Sequence, residues 1–531
     1  MLQIIDYHER TKHHLHKYAP GPGFMDWQNQ PDPFRSYPGA ESIALKLLDQ
    51  SVALPYHRLF EAHSAEPAAL VPDSIAGFLE LALGLSAWKT LGGSEWPLRI
   101  NPSSGNLHPT ECHLLLPDCG EISACIAHYN PLLHTLEIRS RLGPAAADRL
   151  ARMHGFAVVL SSIFWREAWK YGERAFRYTQ HDVGHALAAL RFSSTLCNWS
   201  FRVRPEVPSS LLDGLLGFEA ESSHPGELER ADCICWLQTG SVARDFDLPT
   251  WLNSLQPPHF EHRPNQLSPS HVEWPVIGQA VSATISPGFS STSSVPDQAV
   301  PHPPSAHSAE SIIRRRRSAQ AYDPGRSGIS LSDFRQMLAA TMPSGNALFE
   351  SLGTGTNIHL AIFVHRVDDL DPGLYCLLRN RSDLADLRTI MEQDFSWSPS
   401  GGDLPLYLLR SGDFRGTAEQ ISCHQPIAGD SAFSLSMLAR FDSLIDSKPW
   451  MYPRLFWEAG FIGQILYLEA EEIGLRGTGI GCYFDDAMHG LLGINDHCWQ
   501  DVYHFTVGAS LEDTRIQTKP PYHHLSRIRT R

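Results

Sequence analysis

Residues 101–111, NPSSGNLHPTE, form a polar stretch that is rich in turn-forming residues. It is followed directly by Leu114, Leu115 and Leu116, a short apolar run that is typical of a buried strand. Serine, glycine and asparagine turn the backbone sharply and leave N–H groups, hydroxyls and an amide exposed. A planar polar ligand could be bound where such a turn meets a core strand. A capped turn without any ligand is the alternative that the turn alone leaves open.

The composition is that of an ordinary globular protein with more than one domain. The chain has 531 residues, of which 42% are hydrophobic and 19% are charged. The net charge of −15 argues against a nucleic-acid partner. The ten cysteines form no C-x-x-C pair, so reduced thiols in the cytoplasm are the simplest expectation. We see no signal peptide and no apolar run that could span a membrane, so no membrane partner is expected.

Hydrophobic periodicity predicts helices and strands in both halves of the chain. Helical spacing is found over residues 42–92, 178–198, 331–341, 383–393 and 456–473. Strand patterns are found over residues 112–116, 125–129, 135–138, 158–161, 360–365, 374–378 and 502–507. A glycine-rich turn is expected at 477–481.

A change in composition divides the chain. Between residues 249 and 310 Pro, Ser, His and Gln dominate, which predicts an extended linker that is poorly ordered at least in its middle. We therefore expect one domain over residues 1–248, a Pro/Ser-rich linker over 249–310 and a second domain over 311–531.

The two halves contain similar local patterns in the same order, which indicates a duplicated domain. The paired patterns are Asn106-Leu-His108 with Asn357-Ile-His359, Tyr129 with Tyr375, Gly184-His185 with Gly463-Gln464, and Leu237-Gln-Thr-Gly240 with Phe505-Thr-Val-Gly508. Duplicated domains commonly pack within one chain as the subunits of a symmetric dimer do. Two unrelated α/β domains are the alternative.

His181 and His185 share a helix face in the pattern His-Asp-x-x-His, close to the His-Glu-x-x-His of zinc proteases. Asp182 is one methylene shorter than the glutamate base of those enzymes, and no third ligand is evident. We therefore predict no metal site, and a metal hydrolase stays open as a reading for metal analysis to test.

On four motifs the sequence resembles the nitroreductase superfamily of FMN enzymes, and within it the SagB-type thiazoline/oxazoline dehydrogenase branch. Residues 102–106 are similar to the flavin-contacting P-S-S-x-N loop, and 316–322 (RRSAQAY) to an R-R-S-x-R-x-F opening. Residues 460–481 are similar to a G-x-x-x-Q helix with a Gly-rich turn, and 7–12 (YHERTK) to the start of the peptide-oxidising branch. Without the resemblance, 314–317 reads as a solvated basic run and 477–481 as a helix C-cap.

The resemblance implies an α+β fold of two tandem nitroreductase-like domains that form an intramolecular pseudo-dimer. It implies FMN as the cofactor, with Arg and Ser holding the phosphate and a backbone N–H of the Gly-rich turn reaching flavin N5. Each half keeps different motifs, so we expect one FMN and a degenerate or empty pseudo-symmetric site. The expected cofactor-binding residues are Pro102, Ser103, Ser104, Asn106, Arg316, Arg317, Ser318, Gln320, Gly479, Ile480 and Gly481.

The implied activity is an FMN-dependent oxidoreductase with ping-pong hydride transfer. A small molecule or a modified peptide of the azoline type is the expected substrate, and NAD(P)H is a donor to be tested. Gln320 stands where the family has Arg or Lys, so Arg515 or Lys519 would have to supply the missing charge. The alternative is a non-catalytic flavin- or ligand-binding protein with a degenerate nitroreductase fold. No acid or base is identified.

Overall fold

The computed structural model describes residues 3–61, 66–218, 224, 226–240, 246–255, 258–291, 301–343 and 348–525. Two mixed helix-and-sheet halves are found within them. The strands are β1 Ser42–Ala44, β2 Leu85–Leu91, β3 Ser94–Arg99, β4 Thr110–Leu116, β5 Cys125–Asn130, β6 Thr135–Arg141, β7 Gly155–Ile163, β8 Ser200–Val203, β9 Glu229–Gln238, β10 Ile358–Val364, β11 Gly373–Leu377, β12 Ser398–Pro399, β13 Leu406–Ser411, β14 Phe433–Arg440, β15 Arg476–Ile480, β16 Trp499–Gly508 and β17 Gln517–Lys519.

The two large sheets have the same topology. The sheet of the first half has the order β1-β6-β5-β4-β7-β9-β8, and that of the second half β12-β13-β11-β10-β14-β16-β15. All strand pairs in both sheets are antiparallel. The central strands β4 and β10 occupy the same place and are buried along their whole length, as their apolar runs predict. The expected tandem α+β fold is therefore confirmed.

Two long helices lie between the sheets, Ala175–Leu196 and Tyr452–Glu472, which we call the first and second central helices. The other helices are Ile4–Arg10, Pro72–Leu83, Pro144–Ala151, Phe164–Tyr171, Ser209–Leu216, Leu248–Asn253, Pro275–Ala283, Ala309–Arg315, Leu331–Ala340, Leu384–Ile390, Arg415–Ile421, Pro426–Gly429, Asp442–Ile445 and Asp485–Leu492. The main apolar core is continuous through both halves, whereas two smaller clusters each cover the outer face of one sheet.

The central helices cross at Gly184 and Gly460. A Cβ on Gly184 would overlap the carbonyl oxygen of Trp457, and a Cβ on Gly460 would overlap that of His181. Each glycine thus contacts the residue three positions before the other glycine. These reciprocal contacts indicate a local two-fold arrangement in which Gly184 corresponds to Gly460. The sequence pairing of Gly184 with Gly463 was wrong by one turn, because successive turns of a buried helix have similar apolar patterns.

The terminal segments are exchanged between the halves. Near the N-terminus, the His8 imidazole is hydrogen-bonded to the hydroxyl of Tyr452 (3.3 Å) and to Gln500 (3.2 Å) in the second half. Near the C-terminus, β17 pairs with β2 of the first half, and the Tyr522 hydroxyl accepts a hydrogen bond from the Leu85 N–H (2.9 Å). The N-terminal segment, which precedes the first half, therefore packs on the second half. The C-terminal segment, which follows the second half, packs on the first half.

Two expectations about local structure were wrong. Residues 42–92 are helical over Pro72–Leu83 but also contain β1 and β2. Strand β2 forms a hairpin with β3 and also pairs with β17, more than 420 residues away, and no local pattern reveals this second contact. Residues 477–481 are not a free turn, since most of them belong to edge strand β15, which pairs with β16.

The described part of the linker is folded against both halves, since its His302 is paired with Glu469 of the second central helix (2.9 Å). It contains the helices Leu248–Asn253 and Pro275–Ala283, and the Trp165 indole donates a hydrogen bond to the Ser268 hydroxyl (2.7 Å). The expected poor order is thus wrong for residues 258–291, while 292–300 lie outside the described residues. The domain boundaries at 248 and 310 stay a prediction. Along the described parts of the chain, no helix combines the length and apolar character needed to cross a bilayer.

Candidate functional site

A cavity of about 1080 Å³ lies where the two halves meet. Its walls come from the polar turn of the first half, from the segment before Gln320, and from β15 with the residues that follow it. All eleven residues expected from the sequence line this cavity: Pro102, Ser103, Ser104, Asn106, Arg316, Arg317, Ser318, Gln320, Gly479, Ile480 and Gly481. Their placement together is a property of the structure, and their binding of a cofactor stays a prediction.

The polar turn is fixed to the first central helix. The Ser104 N–H and hydroxyl both donate to one carboxylate oxygen of Asp182 (3.1 and 3.3 Å). The Ser103 hydroxyl accepts a hydrogen bond from the His108 N–H (2.8 Å), and the Asn106 amide donates to the Pro97 carbonyl (2.9 Å). The turn therefore presents its polar groups from a rigid backbone.

Two buried acids lie behind this turn. Burial raises the pKa of Asp182 to about 7, against the hydrogen bonds from Ser103 and Ser104 that lower it. Burial and then the charge of Asp182 raise the pKa of Glu167 well above its usual range. Among the described residues, both Glu167 carboxylate oxygens and the second Asp182 oxygen have no hydrogen-bond partner. The pair can hold and release a proton near neutral pH at the edge of the cavity.

Arginines form the opposite wall. Arg314 is paired with Glu80 and Glu310, and Arg476 with Glu471, but Arg315, Arg316 and Arg317 form no ion pair within the described residues. Their guanidinium groups donate only to backbone carbonyls.

Arg316 is the most enclosed of the three. Burial lowers the pKa of its guanidinium, and its Nε has no partner among the described residues. Buried cations are costly unless an anion compensates them. The wall is therefore suited to an anionic group in the cavity.

Gly479 in β15 and Gly481 just after it bring backbone to the cavity wall. A Cβ on Gly479 would overlap the Tyr503 hydroxyl, and one on Gly481 would overlap the ring of Tyr178. The Gly479 N–H donates to the Tyr467 hydroxyl (3.0 Å), which is also hydrogen-bonded to Ser318 (2.8 Å). This N–H is engaged, so a contact with a ligand would require the tyrosine hydroxyl to move.

The comparisons with known proteins differ in what they find. No family model matches the chain, and no curated protein matches it. Among solved structures, the chain is similar to a protein of Anabaena variabilis described as a candidate nitroreductase. The TM-score is 0.69 at 21% identity, over 96% of this chain and 100% of that one. The chain has the nitroreductase fold. The resemblance drawn from the four motifs is thus confirmed at the level of the fold.

Two further matches cover less than half of the chain. A candidate nitroreductase from Ralstonia eutropha aligns with 42% of this chain and 99% of its own, with a TM-score of 0.29 and 15% identity. The Escherichia coli microcin synthetase McbBCD complex, with a truncated pro-microcin bound, aligns with 39% of this chain and 77% of its own, with a TM-score of 0.26 and 19% identity. Neither adds to the argument.

The side chains that the first central helix contributes to the cavity were not identified from the sequence. Tyr178, Asp182 and His185 all line it. Their spacing of four and three residues places them on one helix face, and this signal was available. Burial and then Arg316 lower the pKa of His185 to about 3, so its imidazole is neutral at pH 7.

The histidines considered for zinc bind different partners. His181 is hydrogen-bonded to the Val502 carbonyl (2.8 Å), and His185 to Gln464 (3.3 Å) and to the Tyr503 hydroxyl (3.1 Å). Within the described ranges, no group of three or more His, Cys, Asp or Glu residues is arranged to hold a metal ion.

The charge missing at Gln320 is not supplied by the residues expected for it. Lys519 is paired with Glu95 (3.0 Å) and Arg515 with Asp513 (2.7 Å), and neither lines the cavity. Each is instead held by its ion pair with a carboxylate. Arg315, Arg476 and Lys89 line the cavity instead, and the sequence did not indicate them.

The pseudo-symmetric position is built differently from the cavity. Glu458 accepts a hydrogen bond from the Asn357 N–H (3.0 Å), as Asp182 does from Ser104, but Glu458 is also paired with Arg379. A Cβ on Gly353 would lie 3.2 Å from Pro205, so the counterpart of the polar turn sits directly on the residues after β8.

The linker contacts this position through Phe289. The Phe289 N–H donates to the Pro205 carbonyl (3.0 Å), and the Arg454 guanidinium lies over the Phe289 ring at 4.9 Å. The two positions that the fold relates are therefore built differently, and the expectation of a degenerate or empty second site stays a prediction.

Proposed function

We propose that this protein is an FMN-dependent oxidoreductase that holds a single flavin in the cavity between its two halves. The observation that carries the proposal is the wall of Arg315, Arg316 and Arg317. Three guanidinium groups with no ion-pair partner among the described residues face the same cavity as Gly479 in β15 and Gly481 just after it. An anionic group attached to a flat ring system matches both features.

The residues present fit FMN part by part. Arg315, Arg316 and Arg317 would hold the phosphate, since guanidinium groups bind phosphate through charge-assisted hydrogen bonds. Gly479 and Gly481 would meet the ring system with their backbone, since the space of their missing side chains is taken by Tyr503 and Tyr178. The polar turn at 102–106 would meet the polar edge of the ring. When bound, FMN supplies two-electron hydride chemistry, while the protein fixes its position and surroundings.

The two buried acids, Asp182 and Glu167, would hold or release a proton during the reaction. Asp182 lines the cavity and burial raises its pKa to about 7, while burial and then the charge of Asp182 raise the pKa of Glu167 behind it. The cavity volume of about 1080 Å³ is at the upper end of small-molecule sites, which are about 300–1,000 Å³. This size suits a cofactor with space for a small substrate beside it, as a ping-pong reaction requires.

The finer assignments rest on the sequence resemblance alone. They are ping-pong transfer with NAD(P)H as donor, and dehydrogenation of an azoline- or peptide-type substrate. The alternative of a non-catalytic flavin-binding protein is favoured by Gln320, which brings no charge to the cavity, and by the engaged N–H of Gly479.

The deciding experiment is the absorbance spectrum of the purified protein with a flavin count per chain. We expect about one FMN per chain, because the pseudo-symmetric position lacks the polar turn and its Glu458 is paired with Arg379. Anaerobic bleaching by NADH or NADPH supports the enzyme, and a yellow protein that neither donor bleaches supports a binding protein. A protein that takes up no flavin on titration with FMN contradicts the proposal.

A double substitution tests the phosphate wall. R317A/S318A should weaken FMN binding about 10- to 100-fold, because a hydrogen bond to a charged group is worth about 1.5–3 kcal/mol. Riboflavin lacks the phosphate, so its affinity should change much less. R388A, at an exposed arginine of the second half outside the cavity, is the matched control. Equal losses for FMN and riboflavin would show that the variant damages the fold and that the phosphate is held elsewhere.

A further inference from the structure

Two cysteines meet at the wall of the cavity. Cys482 follows β15 directly and lines the cavity, and Cys423 lies between the helices Arg415–Ile421 and Pro426–Gly429. Their sulfur atoms are 2.7 Å apart although 59 residues separate them in the chain. Both are free thiols and both are partly exposed. A disulfide bond is about 2.0 Å long, so the two side chains need only a small movement to form one.

The backbone holds this pair together. Cys423 and His424 have φ values of 54° and 58°, a left-handed conformation that non-glycine residues rarely adopt. The Gln425 amide donates to the carbonyls of Ser422 (2.8 Å) and Cys482 (3.1 Å). Strained backbone persists only where its surroundings fix it, and here it turns Cys423 toward Cys482.

The charges around Cys482 favour its thiolate. His13 accepts the Ala19 N–H at Nδ1 (2.9 Å), so its other ring nitrogen carries the proton and is free to donate to the Cys482 sulfur. The buried Arg174 guanidinium donates to the Gly481 carbonyl (3.3 Å). The hydrogen bond from Cys423 and then His13 and Arg174, acting against burial, lower the pKa of Cys482 to about 5.

Cys423 has the opposite character, because donation to Cys482 raises the pKa of its thiol. The other titratable groups facing the pair are His13, Tyr18, Tyr171, Arg174, Tyr178 and Asp485. One member is thus a nucleophile at neutral pH, and the other is a thiol placed to act second.

We propose that Cys482 and Cys423 form a thiol–disulfide exchange site that takes a low-molecular-weight disulfide from the cavity. The Cys482 thiolate attacks one sulfur of the disulfide, forming a mixed disulfide and releasing the first thiolate, which takes a proton. Cys423, losing its proton, then attacks the Cys482 sulfur and releases the second thiol. Two electrons pass from the cysteines to the substrate, and a Cys423–Cys482 disulfide remains.

No other cysteine pair offers this combination within the described residues. Cys233 and Cys235 are neighbours on β9 but are both buried, so no substrate reaches them. Cys498 is exposed, but burial and then Asp496 raise its pKa. It is therefore the internal reference for an ordinary thiol. The proposal does not depend on the flavin, because every step uses only the two cysteines and the disulfide.

Trapping the intermediate tests the order of attack. C423S incubated with glutathione disulfide should accumulate one glutathione on Cys482, seen by mass spectrometry of its peptide. C482S should show no such adduct on Cys423, and C498S should behave as the unmodified protein. Adducts on Cys423 and Cys482 at equal rates would overturn the assigned roles.

The pH dependence of labelling separates a thiolate from an ordinary thiol. Between pH 6 and 8, iodoacetamide labelling of Cys482 in C423S/C498S should rise less steeply than that of Cys498 in C423S/C482S. An ordinary thiol gains about tenfold per pH unit below its pKa. Because C423S removes the donor that lowers the pKa most, the unmodified protein is measured too. The same steep rise for Cys482 and Cys498 in the unmodified protein would contradict the thiolate.

The unmodified full-length chain gives the final measurement. Equilibration with glutathione redox buffers, acid quenching and peptide mapping should show a single 423–482 disulfide that forms and disappears in one two-electron transition. Absence of this crosslink at every ratio would overturn the proposal. Flavin content is counted in the same samples, so failure here leaves the flavin proposal standing, and a protein without flavin can still pass this test.

Discussion

Asp182 combines three properties at the scale of a single residue. It fixes the polar turn through Ser104, it lines the cavity, and it is buried with one oxygen unpaired among the described residues. Burial raises its pKa in the folded protein to about 7, whereas an unfolded chain has about 3.9. The folded state therefore binds the proton more tightly, and this group lowers the free energy of unfolding as pH rises from 4 to 7.

D182N should remove that loss while keeping an oxygen for the Ser104 N–H. We expect the free energy of unfolding of the variant, relative to that of the unmodified protein, to rise by about 2 kcal/mol on going from pH 5 to pH 8. This figure follows from about 1.4 kcal/mol per pKa unit. Urea unfolding at both pH values measures the gap. D368N changes an exposed carboxylate and is the control, because solvent screens it. A gap that does not vary with pH would show that Asp182 is ionised throughout.

At the scale of elements, the crossing of the central helices determines how closely the halves approach. Gly184 and Gly460 allow backbone contact there, so side chains on both helices reach the cavity walls. G460A should cost about 1–3 kcal/mol, because the added methyl overlaps the His181 carbonyl and separates the helices.

G490A is the matched control for this helix substitution. It lies in the helix Asp485–Leu492 with nothing within 4 Å of the new methyl, and should be neutral or stabilising by up to about 1 kcal/mol. Thermal unfolding of both variants measures the difference. Equal effects of G460A and G490A would mean that the crossing is not tightly packed.

The secondary-structure elements also show how much of the fold could be predicted from the sequence. Half of the fourteen strands of the two large sheets were predicted, because these seven carry a clear apolar run, as β4 and β10 do. β2 was not, because its residues continue a helical pattern and one of its two partners, β17, is distant in the chain. The helix crossing was displaced by one turn because buried helices repeat their pattern. The turn at 102–106 and the arginines at 316–317 were found by resemblance. His185 was missed because its spacing from His181 was read for metal binding, and Tyr178 was read only as the start of a helix.

For the whole molecule, the continuous core and the exchanged termini connect the halves. We expect one cooperative unfolding transition by calorimetry, with a midpoint that does not change on tenfold dilution, since the interface lies within one chain. H8A should lower that single midpoint without dividing it, because His8 joins the halves. Two separate transitions, or a midpoint that falls on dilution, would contradict this description.

The different construction of the two related positions, one of which is contacted by Phe289, has a consequence for how such a protein can change over generations. In a pair of identical subunits every substitution appears twice, so neither pocket can be given up without losing both. Here the two halves lie in one chain and differ in sequence. The counterpart turn of the second half can therefore change while the polar turn of the first half keeps its polar groups. Fusion of the copies thus made it possible to specialise one pocket alone.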